Sequence, residues 1–545
     1  MTWPVVGGGP GRFLCAQAAH KSTETTAATS DCVLKLVPPC AREYLTRRPA
    51  ARARSRGPPQ RRSVDRRIKI DGPGRGSDRG EVTAPAELLR DLWLSAGGEP
   101  EALARVALTG ADPVLPSSFR VGSAAQASIA AVGLAAAELW RLRTGRAQHV
   151  AVDMRAAAIE FRSERYLRIV GREPPPMWDP IAGVYRTGDG RFVRLHTNFP
   201  HHRRAIVELL GASDSRESVQ EKLGAWKGED FETAANGAGG VVAMMRSAAE
   251  WTAHPQAQAL SSLPLLEIER IGDAPPRALG AGPRPASGVR VLDLTRIVAG
   301  PVCGRTLAAH GADVLRIASP SLPSLEWLVI DTGRGKRSAF VDLDSLDGRA
   351  ALTRLLAGAD VFVQGYRPGG IAARGFSPAD AARIRPGIVY VSLCAYSHAG
   401  PWAPRRGFDS LVQTATGFNH AEGVAAGVDG PKELPAQALD HGSGQLMAAA
   451  AMLARARQAR EGGSWHVRVS LAQTGRWLFG LGRVDGGLRA PELALDAVQD
   501  RIEESDSAFG RLRAVRHAAE LSETPAYFAL PAAKLGSSAA TWADS

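Results

Sequence analysis

The sequence is poor in cysteine, methionine and aromatic residues. Its 545 residues include 5 Cys and 7 Met, and Phe, Trp and Tyr together make up 6% of the chain. Cys15, Cys32 and Cys40 lie near the start, and Cys303 and Cys394 stand isolated among apolar neighbours. These spacings give neither a zinc-ligand pattern nor a disulfide framework. We therefore predict no metal site and a reducing, cytoplasmic location.

Long apolar runs are also missing. No stretch of eighteen uninterrupted apolar residues occurs, so we predict no membrane span and no membrane partner. The hydrophobic content is 44% and the charged content 22%, which is ordinary for a soluble globular protein. A chain of this length exceeds one typical core, so two or more domains are expected.

The positive charge belongs to the first part of the chain. Residues 1–80 contain 16 Lys or Arg against 6 Asp or Glu, which is +10 of the total of +12. This region is rich in Arg, Pro and Gly and has no sustained apolar period, so residues 1–83 are predicted to be a disordered leader. A nucleic-acid-binding reading would rest on this leader alone, so we predict no nucleic-acid partner.

An internal repeat organises much of the remainder. An Ala-rich helix is predicted at 125–142 and leads to a short strand at 149–152. A second Ala-rich helix is predicted at 446–459 and leads to a strand at 466–469. The two His-Val-x-Val strands align at an offset of 317 residues, because His466 matches His149. In both copies a helix ends in a Gly turn and passes to a strand.

Between the two copies the pattern changes. Residues 160–285 are predicted to form a small α+β unit with a hairpin at 184–195 and a helix at 201–210. Residues 286–400 alternate strands with helices, which predicts a parallel sheet covered on both faces. Ligands bind at the carboxyl ends of such strands. The predicted ligand loops are therefore 295–301, which includes Val298 and Ala299, together with 332–337 and 364–374.

One carboxylate stands before the second repeat helix. Asp440 is followed by His441, Gly442, Ser443 and Gly444 and then by the apolar run. This pattern places Asp440 at a helix N-terminus, where it is predicted either to cap the helix or to act in catalysis. At the repeat offset Asp440 matches Ser123, which can cap a helix but cannot supply a nucleophilic carboxylate. At most one copy should therefore be catalytic.

Residues 291–478 resemble the class III CoA-transferases, a group that includes formyl-CoA and carnitine CoA-transferases and alpha-methylacyl-CoA racemase. The matching pieces are 291–295, 299–301, 311–314, 335–338, 366–369, 400–402, 406–409, Gln413 and Asp440 with its small followers. Their order and approximate spacing carry the resemblance, and no single piece would do so.

The resemblance implies a division of the chain. Residues 84–285 resemble the tail of one protomer with its small domain, and residues 286–490 resemble the head of another, followed by a C-terminal extension at 491–545. The fold class expected is α/β, with a Rossmann-like parallel sheet domain and a smaller α+β domain after the leader. Family members interlock as two rings, so a homodimer is also expected.

The resemblance further implies the chemistry. Coenzyme A would pass between an acyl-CoA and a carboxylate acceptor through an aspartyl-CoA thioester on Asp440, with no tightly bound cofactor. Backbone N–H groups around Gly442 and Gly444 are predicted to bind the oxyanion, and the helix N-terminus to keep Asp440 ionised. The residues predicted to bind CoA are Val298, Ala299, Lys336, Tyr366, Arg367 and Arg374, with Arg337 on the same loops.

Some family positions are replaced, which leaves two alternatives open. CoA-contacting residues of the family match Ser319, Gly365 and Ala373 here, so a non-catalytic or divergent acyl-CoA-binding protein is one alternative. The other is a 2-methylacyl-CoA racemase. Phe408 stands where the racemases carry a His, which argues against that reading. His441 is a possible substitute base, although a solvated His is the expectation for that position.

Overall fold

A computed structural model describes residues 84–543, and the predicted disordered leader at 1–83 lies outside the described residues. Helices up to residue 285 are α1 (Pro85–Ser95), α2 (Val121–Thr144), α3 (Met154–Glu160), α4 (Ser163–Tyr166), α5 (Pro200–Leu210), α6 (Arg216–Leu223), α7 (Gly228–Gly237), α8 (Ala248–Ala253) and α9 (Pro255–Ser261). Strands in this part are β1 (Val106–Thr109), β2 (Val150–Asp153), β3 (Arg168–Ile169), β4 (Gly183–Arg186), β5 (Phe192–Leu195), β6 (Val242–Met244) and β7 (Leu266–Gly272).

The part after residue 285 contains longer elements. Its helices are α10 (Ala299–Ala309), α11 (Glu326–Gly333), α12 (Leu346–Ala357), α13 (Pro378–Ile384), α14 (Asp409–Ala415), α15 (Phe418–Ala426), α16 (Ala438–Glu461) and α17 (Leu471–Gly480). Its strands are β8 (Arg290–Leu294), β9 (Asp313–Ala318), β10 (Lys336–Phe340), β11 (Val361–Gln364), β12 (Val389–Cys394), β13 (Ser464–Ser470), β14 (Ile502–Ser505), β15 (Leu512–Val515) and β16 (Ala519–Leu521).

A seven-stranded sheet carries this larger part. Its order is β10-β9-β8-β11-β12-β13-β7, in which every pair is parallel except β13 with β7. The predicted α/β class is confirmed, and the sheet is mixed because β7 from the first part adds an antiparallel edge. The strand order reverses around β8, so the carboxyl ends of β8 and β11 open a crevice where ligands bind in such folds.

The internal repeat is confirmed element by element. Helix α2 begins at Val121 and α16 at Ala438, so 438 − 121 = 317, and their ends at Thr144 and Glu461 give the same offset. The two helices pack against each other in one core that draws residues from both sides of residue 285. Both are buried around most of their circumference, which explains why Ala-rich sequences without a polar face form them.

The small unit predicted at 160–285 is confirmed as an α+β arrangement. Strands β4, β5 and β6 form an antiparallel sheet, and helices α5, α6 and α7 cover it over a separate apolar core. The C-terminal extension adds β16 beside β2 and β15 beside β3, both antiparallel. The division of the chain into protomer-like halves stays a prediction.

Two predicted boundaries are wrong in ways that matter for the site. Helix α16 begins at Ala438, so Asp440 lies inside its first turn and Gln437 occupies the N-cap position. Strand β10 begins at Lys336, so Lys336 and Arg337 lie in a strand and not in a ligand loop. The loop at 332–337 leads into β10 at its amino end, whereas ligands bind at carboxyl ends.

One described helix is long and apolar enough to cross a membrane. This helix is α2, and 94% of its most apolar 18-residue window is buried inside the protein. Core helices of soluble proteins pass the same test, so this observation is weak support for a membrane span. Packing against α16 accounts for its apolar sequence.

Candidate active site

Asp409, and not Asp440, caps helix α16. Its Oδ2 atom accepts hydrogen bonds from the backbone N–H of Leu439 at 2.7 Å and of Asp440 at 2.9 Å. Its other oxygen accepts from the side-chain amide of Gln413. The predicted capping role of Asp440 is therefore wrong. Because a residue from α14 satisfies the first N–H groups of the helix, the Asp440 side chain is released from that task.

The Asp440 carboxylate stands at the meeting point of two cavities. Its residue is 7% exposed, and no side chain or backbone group among residues 84–543 is hydrogen-bonded to its carboxylate oxygens. One cavity has a volume of about 530 Å³ and the other about 440 Å³. Asp440, Ile297, Val298 and Phe408 line both of them. A buried carboxylate without hydrogen bonds that faces open space is arranged to react with a ligand.

The charge state of Asp440 differs from the prediction. Burial raises its pKa well above the ordinary value, and the neighbouring charges of Asp409 and Glu164 raise it further. Burial likewise raises the pKa of Asp409 to about 6, against the hydrogen bonds that its carboxylate accepts. The expectation that the helix N-terminus would keep Asp440 ionised is wrong, because desolvation and two nearby carboxylates outweigh the helix dipole.

His441 is fully buried, so the expectation of a solvated His is wrong. Its Nε2 atom lies 3.0 Å from Glu164 Oε2, and its ring stacks on Phe161 with centroids 5.6 Å apart. Burial opposes ionisation of Glu164, but the hydrogen bond and charge of His441 outweigh it, so the pKa of Glu164 lies below its usual range. This pair ties α16 to α4 and leaves His441 without access to either cavity.

The glycines after Asp440 have a packing role. Gly442 and Gly444 are the fifth and seventh residues of α16, where helical geometry commits their N–H groups to carbonyls one turn earlier. A Cβ atom on Gly444 would lie 2.6 Å from the carbonyl oxygen of Ala299. The predicted oxyanion role of these N–H groups therefore does not fit. Gly444 instead allows α10 to approach α16 closely.

The first turn of α10 lies beside Asp440 as a result. Ile297, just before this helix, has φ of 74°, a left-handed conformation that is strained for a β-branched residue. The N–H groups of Val298, Ala299 and Gly300 precede or begin the helix and have no intrahelical partner. Val298 and Ala299 line the smaller cavity, as the sequence predicted. These N–H groups can bind an oxyanion next to Asp440.

The smaller cavity is rich in arginine, and we call it the arginine cavity. It lies at the carboxyl ends of β8, β11 and β12, so the predicted ligand loops 295–301 and 364–374 both contribute to it. Tyr366, Arg367 and Arg374 line it as predicted, and Gly365 lines it where the family carries a CoA-contacting residue. Sequence reasoning missed the other three arginines of this cavity, which are Arg296, Arg405 and Arg406.

Not all five guanidinium groups are free for a ligand. Arg374 pairs with Asp344 at 2.7 Å, and Arg405 pairs with Glu232 at 2.9 Å. Arg296 and Arg367 donate only to the carbonyls of Pro323 and Pro404, and Arg406 has no ion-pair partner among the described residues. Carbonyl contacts leave positive charge uncompensated, so the cavity attracts phosphate groups.

Lys336 is excluded from this cavity. Its Nζ atom is buried and donates to Asp293 at 2.8 Å and to the carbonyl of Pro301 at 2.7 Å. Arg337 pairs with Asp313 at 2.9 Å on the adjacent strand. The predicted CoA contacts of both residues are therefore wrong. Lys336 instead fixes the first turn of α10 to the end of β8, which positions the free N–H groups beside Asp440.

The larger cavity is mainly apolar, and we call it the apolar cavity. Its apolar lining consists of Pro174, Pro175, Pro176, Met177, Trp178, Ile297, Val298, Leu325, Trp327, Leu328 and Phe408. The ring of His196 stacks on Phe408 with centroids 3.8 Å apart, and burial with the nearby His202 lowers the pKa of His196 to about 3. Among residues 84–543 no group of three or more His, Cys, Asp or Glu is placed to hold a metal ion.

Comparison with known proteins matches this site. The sequence profile described as CoA-transferase family III matches residues 102–275 and 286–484. The chain is 30% identical over 325 residues to the acetyl-coenzyme A transferase nodX of Hypoxylon pulicicidum, covering 55% of this chain and 54% of that protein. It is 27% identical over 444 residues to an acyl-CoA transferase of Gibberella moniliformis, covering 71% and 77%.

A solved structure is also similar in sequence. The hypothetical protein Rv3272 of Mycobacterium tuberculosis is 31% identical over 37% of this chain and 58% of its own, with a TM-score of 0.34. The chain thus spans about half the length of nodX and of this structure. The family profile, in contrast, matches more than half of the 545 residues in two segments. The protein therefore belongs to CoA-transferase family III.

Proposed function

We propose that the protein transfers coenzyme A from an acyl-CoA to a carboxylic acid, with Asp440 as the nucleophile. One observation carries the proposal: the Asp440 carboxylate accepts no hydrogen bond from the described residues and lies where the arginine cavity meets the apolar cavity. A thioester that spans both cavities would present its carbonyl carbon to this carboxylate. Proximity of this kind supplies much of the rate enhancement in acyl transfer.

The proposed reaction proceeds through two exchanges. The Asp440 carboxylate attacks the thioester carbonyl, and the C–S bond breaks to give an acyl-aspartyl anhydride and CoA thiolate. The thiolate then attacks the aspartyl carbonyl and releases the donor as a free carboxylate, which leaves an aspartyl-CoA thioester. An acceptor carboxylate reverses both steps and regenerates Asp440. Every bond broken is replaced, and no proton or redox partner is needed.

The raised pKa of Asp440 is useful for this chemistry. A more basic carboxylate is a stronger nucleophile once it is ionised, and its mixed anhydride is less stabilised in the site. Each tetrahedral intermediate carries a negative oxygen that the N–H groups of Val298, Ala299 and Gly300 would stabilise. The ground-state repulsion from Asp409 is then relieved, because the charge of Asp440 moves onto the oxyanion and the thiolate.

Coenzyme A itself would bind in the arginine cavity. Its phosphates need several cations, and Arg296, Arg367 and Arg406 retain uncompensated charge there. Tyr366 offers an aromatic face for the adenine. Arg296, Arg405 and Arg406 compensate in number for the family contacts replaced by Ser319, Gly365 and Ala373. The cytoplasmic location and the homodimer stay predictions, and sedimentation of the purified chain tests the latter.

The trap for the covalent intermediate is the decisive experiment. The protein is incubated with acetyl-CoA and octanoyl-CoA, and intact mass spectrometry is read with and without hydroxylamine. We expect a CoA adduct on Asp440 that hydroxylamine converts to an aspartyl hydroxamate, and no adduct in Asp440→Asn. Binding of both acyl-CoAs without any adduct would instead support the non-catalytic alternative and reject transfer.

A second candidate is proton transfer at the α-carbon of an acyl-CoA. Phe408 replaces the racemase His, but the stacked ring of His196 brings a neutral imidazole to the same wall of the apolar cavity. The Nδ1 atom of His196 is buried without a hydrogen-bond partner among the described residues. Deuterium uptake from D2O into the α-position of 2-methylbutyryl-CoA would support this function. Its absence, alongside a CoA adduct on Asp440, leaves transfer alone.

A further inference from the structure

The wall of the apolar cavity differs chemically from the wall of the arginine cavity. Three prolines at 174–176, Met177 and Trp178 form one side, and Leu325, Trp327 and Leu328 at the start of α11 form another. The volume of about 530 Å³ is within the range of sites that enclose a whole small ligand. This space is larger than an acetyl group needs, and it begins at the Asp440 carboxylate.

The cations around this cavity already have partners. Arg172 pairs with Glu326 at 2.5 Å, and Arg165 lies 3.8 Å from Glu164. Arg168 donates to the carbonyls of Arg165 at 2.8 Å and Leu167 at 2.7 Å. The lining also contains the carboxylates of Glu164, Glu326 and Asp409. A second carboxylate on a substrate would therefore lose its hydration and meet negative charge without gaining a free cation.

We infer that the acyl group transferred is an apolar monocarboxylate of medium length or with a ring, and that dicarboxylates are excluded. This inference rests on the proposed function, because it assigns the apolar cavity to the acyl half of the same substrate. Proline and tryptophan side chains form a stiff apolar surface, so binding improves as methylene groups cover it. Specificity comes from the missing cation, because an unpaired buried carboxylate is costly.

The first half-reaction tests this inference without knowledge of the acceptor. The rate of CoA loading onto Asp440 is measured for acetyl-, butyryl-, hexanoyl-, octanoyl-, succinyl- and glutaryl-CoA by quenched-flow mass spectrometry. We expect the loading rate constant per substrate concentration to rise about fourfold per methylene added, up to the capacity of the cavity. Succinyl-CoA and glutaryl-CoA should load at least about a hundredfold more slowly than hexanoyl-CoA.

A charge-introducing variant tests the assignment of the wall. Leu325→Arg places a cation on the apolar cavity at a position that is partly exposed, so the fold should tolerate it. We expect the ratio of glutaryl-CoA to hexanoyl-CoA loading to rise at least about tenfold. Leu346→Arg is the matched control, because Leu346 is 78% exposed and lies outside both cavities. It should leave the ratio unchanged.

Binding to Asp440→Asn separates the two hypotheses. Calorimetry of this variant with acetyl-CoA, octanoyl-CoA and glutaryl-CoA reports the acyl preference even where no transfer occurs. Tighter octanoyl-CoA binding without adduct formation in the wild type would overturn the proposed transfer and support the acyl pocket. Adduct formation with equal or faster loading of the dicarboxylates would overturn this inference and leave transfer intact. Equal affinity for all three acyl-CoAs would also overturn the inference.

Discussion

The starts of the two repeat helices have the same architecture and different chemistry. At α16, Asp409 accepts the N–H of Asp440 at 2.9 Å, and at α2, Asp112 accepts the N–H of Ser123 at 2.9 Å. The capped residues are separated by the repeat offset of 317. Ser123 also donates its hydroxyl to Asp112 at 2.6 Å, so its side chain is satisfied within the protein. Asp440 has no such bond and faces two cavities.

This difference shows how a structural position becomes reactive. In both copies an aspartate from outside the helix caps it, so the residue at the capped position need not do so. A hydroxyl there can donate to the cap, whereas a carboxylate is repelled by it. The copy with Asp440 thus holds a destabilised carboxylate beside open space. The family membership and the geometry agree on this copy, and α2 remains as its packing partner.

The largest expected effect comes from the capped position itself. Asp440→Asn should lower the rate of CoA transfer at least about a thousandfold, because an amide cannot attack the thioester. The matched variant Ser123→Asn should retain transfer within about threefold of the wild type. The double variant Asp440→Asn, Ser123→Asp should remain inactive. Transfer rates of all three, measured with saturating acyl-CoA, break the comparison if Ser123 variants lose activity equally.

The next effect concerns the pH dependence of loading. Loading needs ionised Asp440, so its rate should rise with pH through the raised pKa of this residue. Asp409→Asn removes a neighbouring negative charge, keeps an oxygen for the N–H groups and should move this rise to lower pH. Asp112→Asn should leave the profile in place. Loading rates between pH 4 and pH 9 decide the matter, and an unmoved profile in Asp409→Asn would contradict the assigned repulsion.

A smaller effect tests the cap at the silent copy. Asp112→Ala removes an acceptor from the N–H and the hydroxyl of Ser123, so the free energy of unfolding should fall by about 1–2 kcal/mol. Transfer at 25 °C should be unaffected, because Asp112 lines neither cavity. Urea denaturation gives the stability change. Asp112→Asn is the control and should recover most of the loss.

The smallest effect is a gain in stability. A carboxyl whose pKa is raised in the folded state lowers stability above its unfolded pKa, here 3.8, and the penalty is absent below it. Asp440→Asn removes this penalty and should raise the free energy of unfolding by about 1 kcal/mol at pH 7.5, with no gain at pH 3.5. Denaturation at both pH values measures it. Ser123→Asn should give no comparable gain at pH 7.5.

Local sequence patterns predicted most of the secondary structure that positions the site. The strands β8, β9, β11 and β12, helix α13 and the hairpin of β4 with β5 lie within a few residues of their predicted places. These elements are fixed by apolar alternation, turn residues and capping residues, which are local. The α16 helix was predicted to begin too late because Gly442, Ser443 and Gly444 are weak helix formers. Packing against α10 and the cap from Asp409 override that preference.

Asp440 was identifiable as the candidate nucleophile from the sequence, and so was the repeat that distinguishes it from Ser123. The sequence also indicated two of the three ligand loops, because the alternation of strands and helices determines which strand ends carry ligands. The tertiary structure alone decided which charges face the ligand. Lys336 is consumed by Asp293, His441 by Glu164, and the α16 cap by Asp409. These partners lie 30 or more residues away along the chain, and burial, which sets their pKa values, exists only in the folded state.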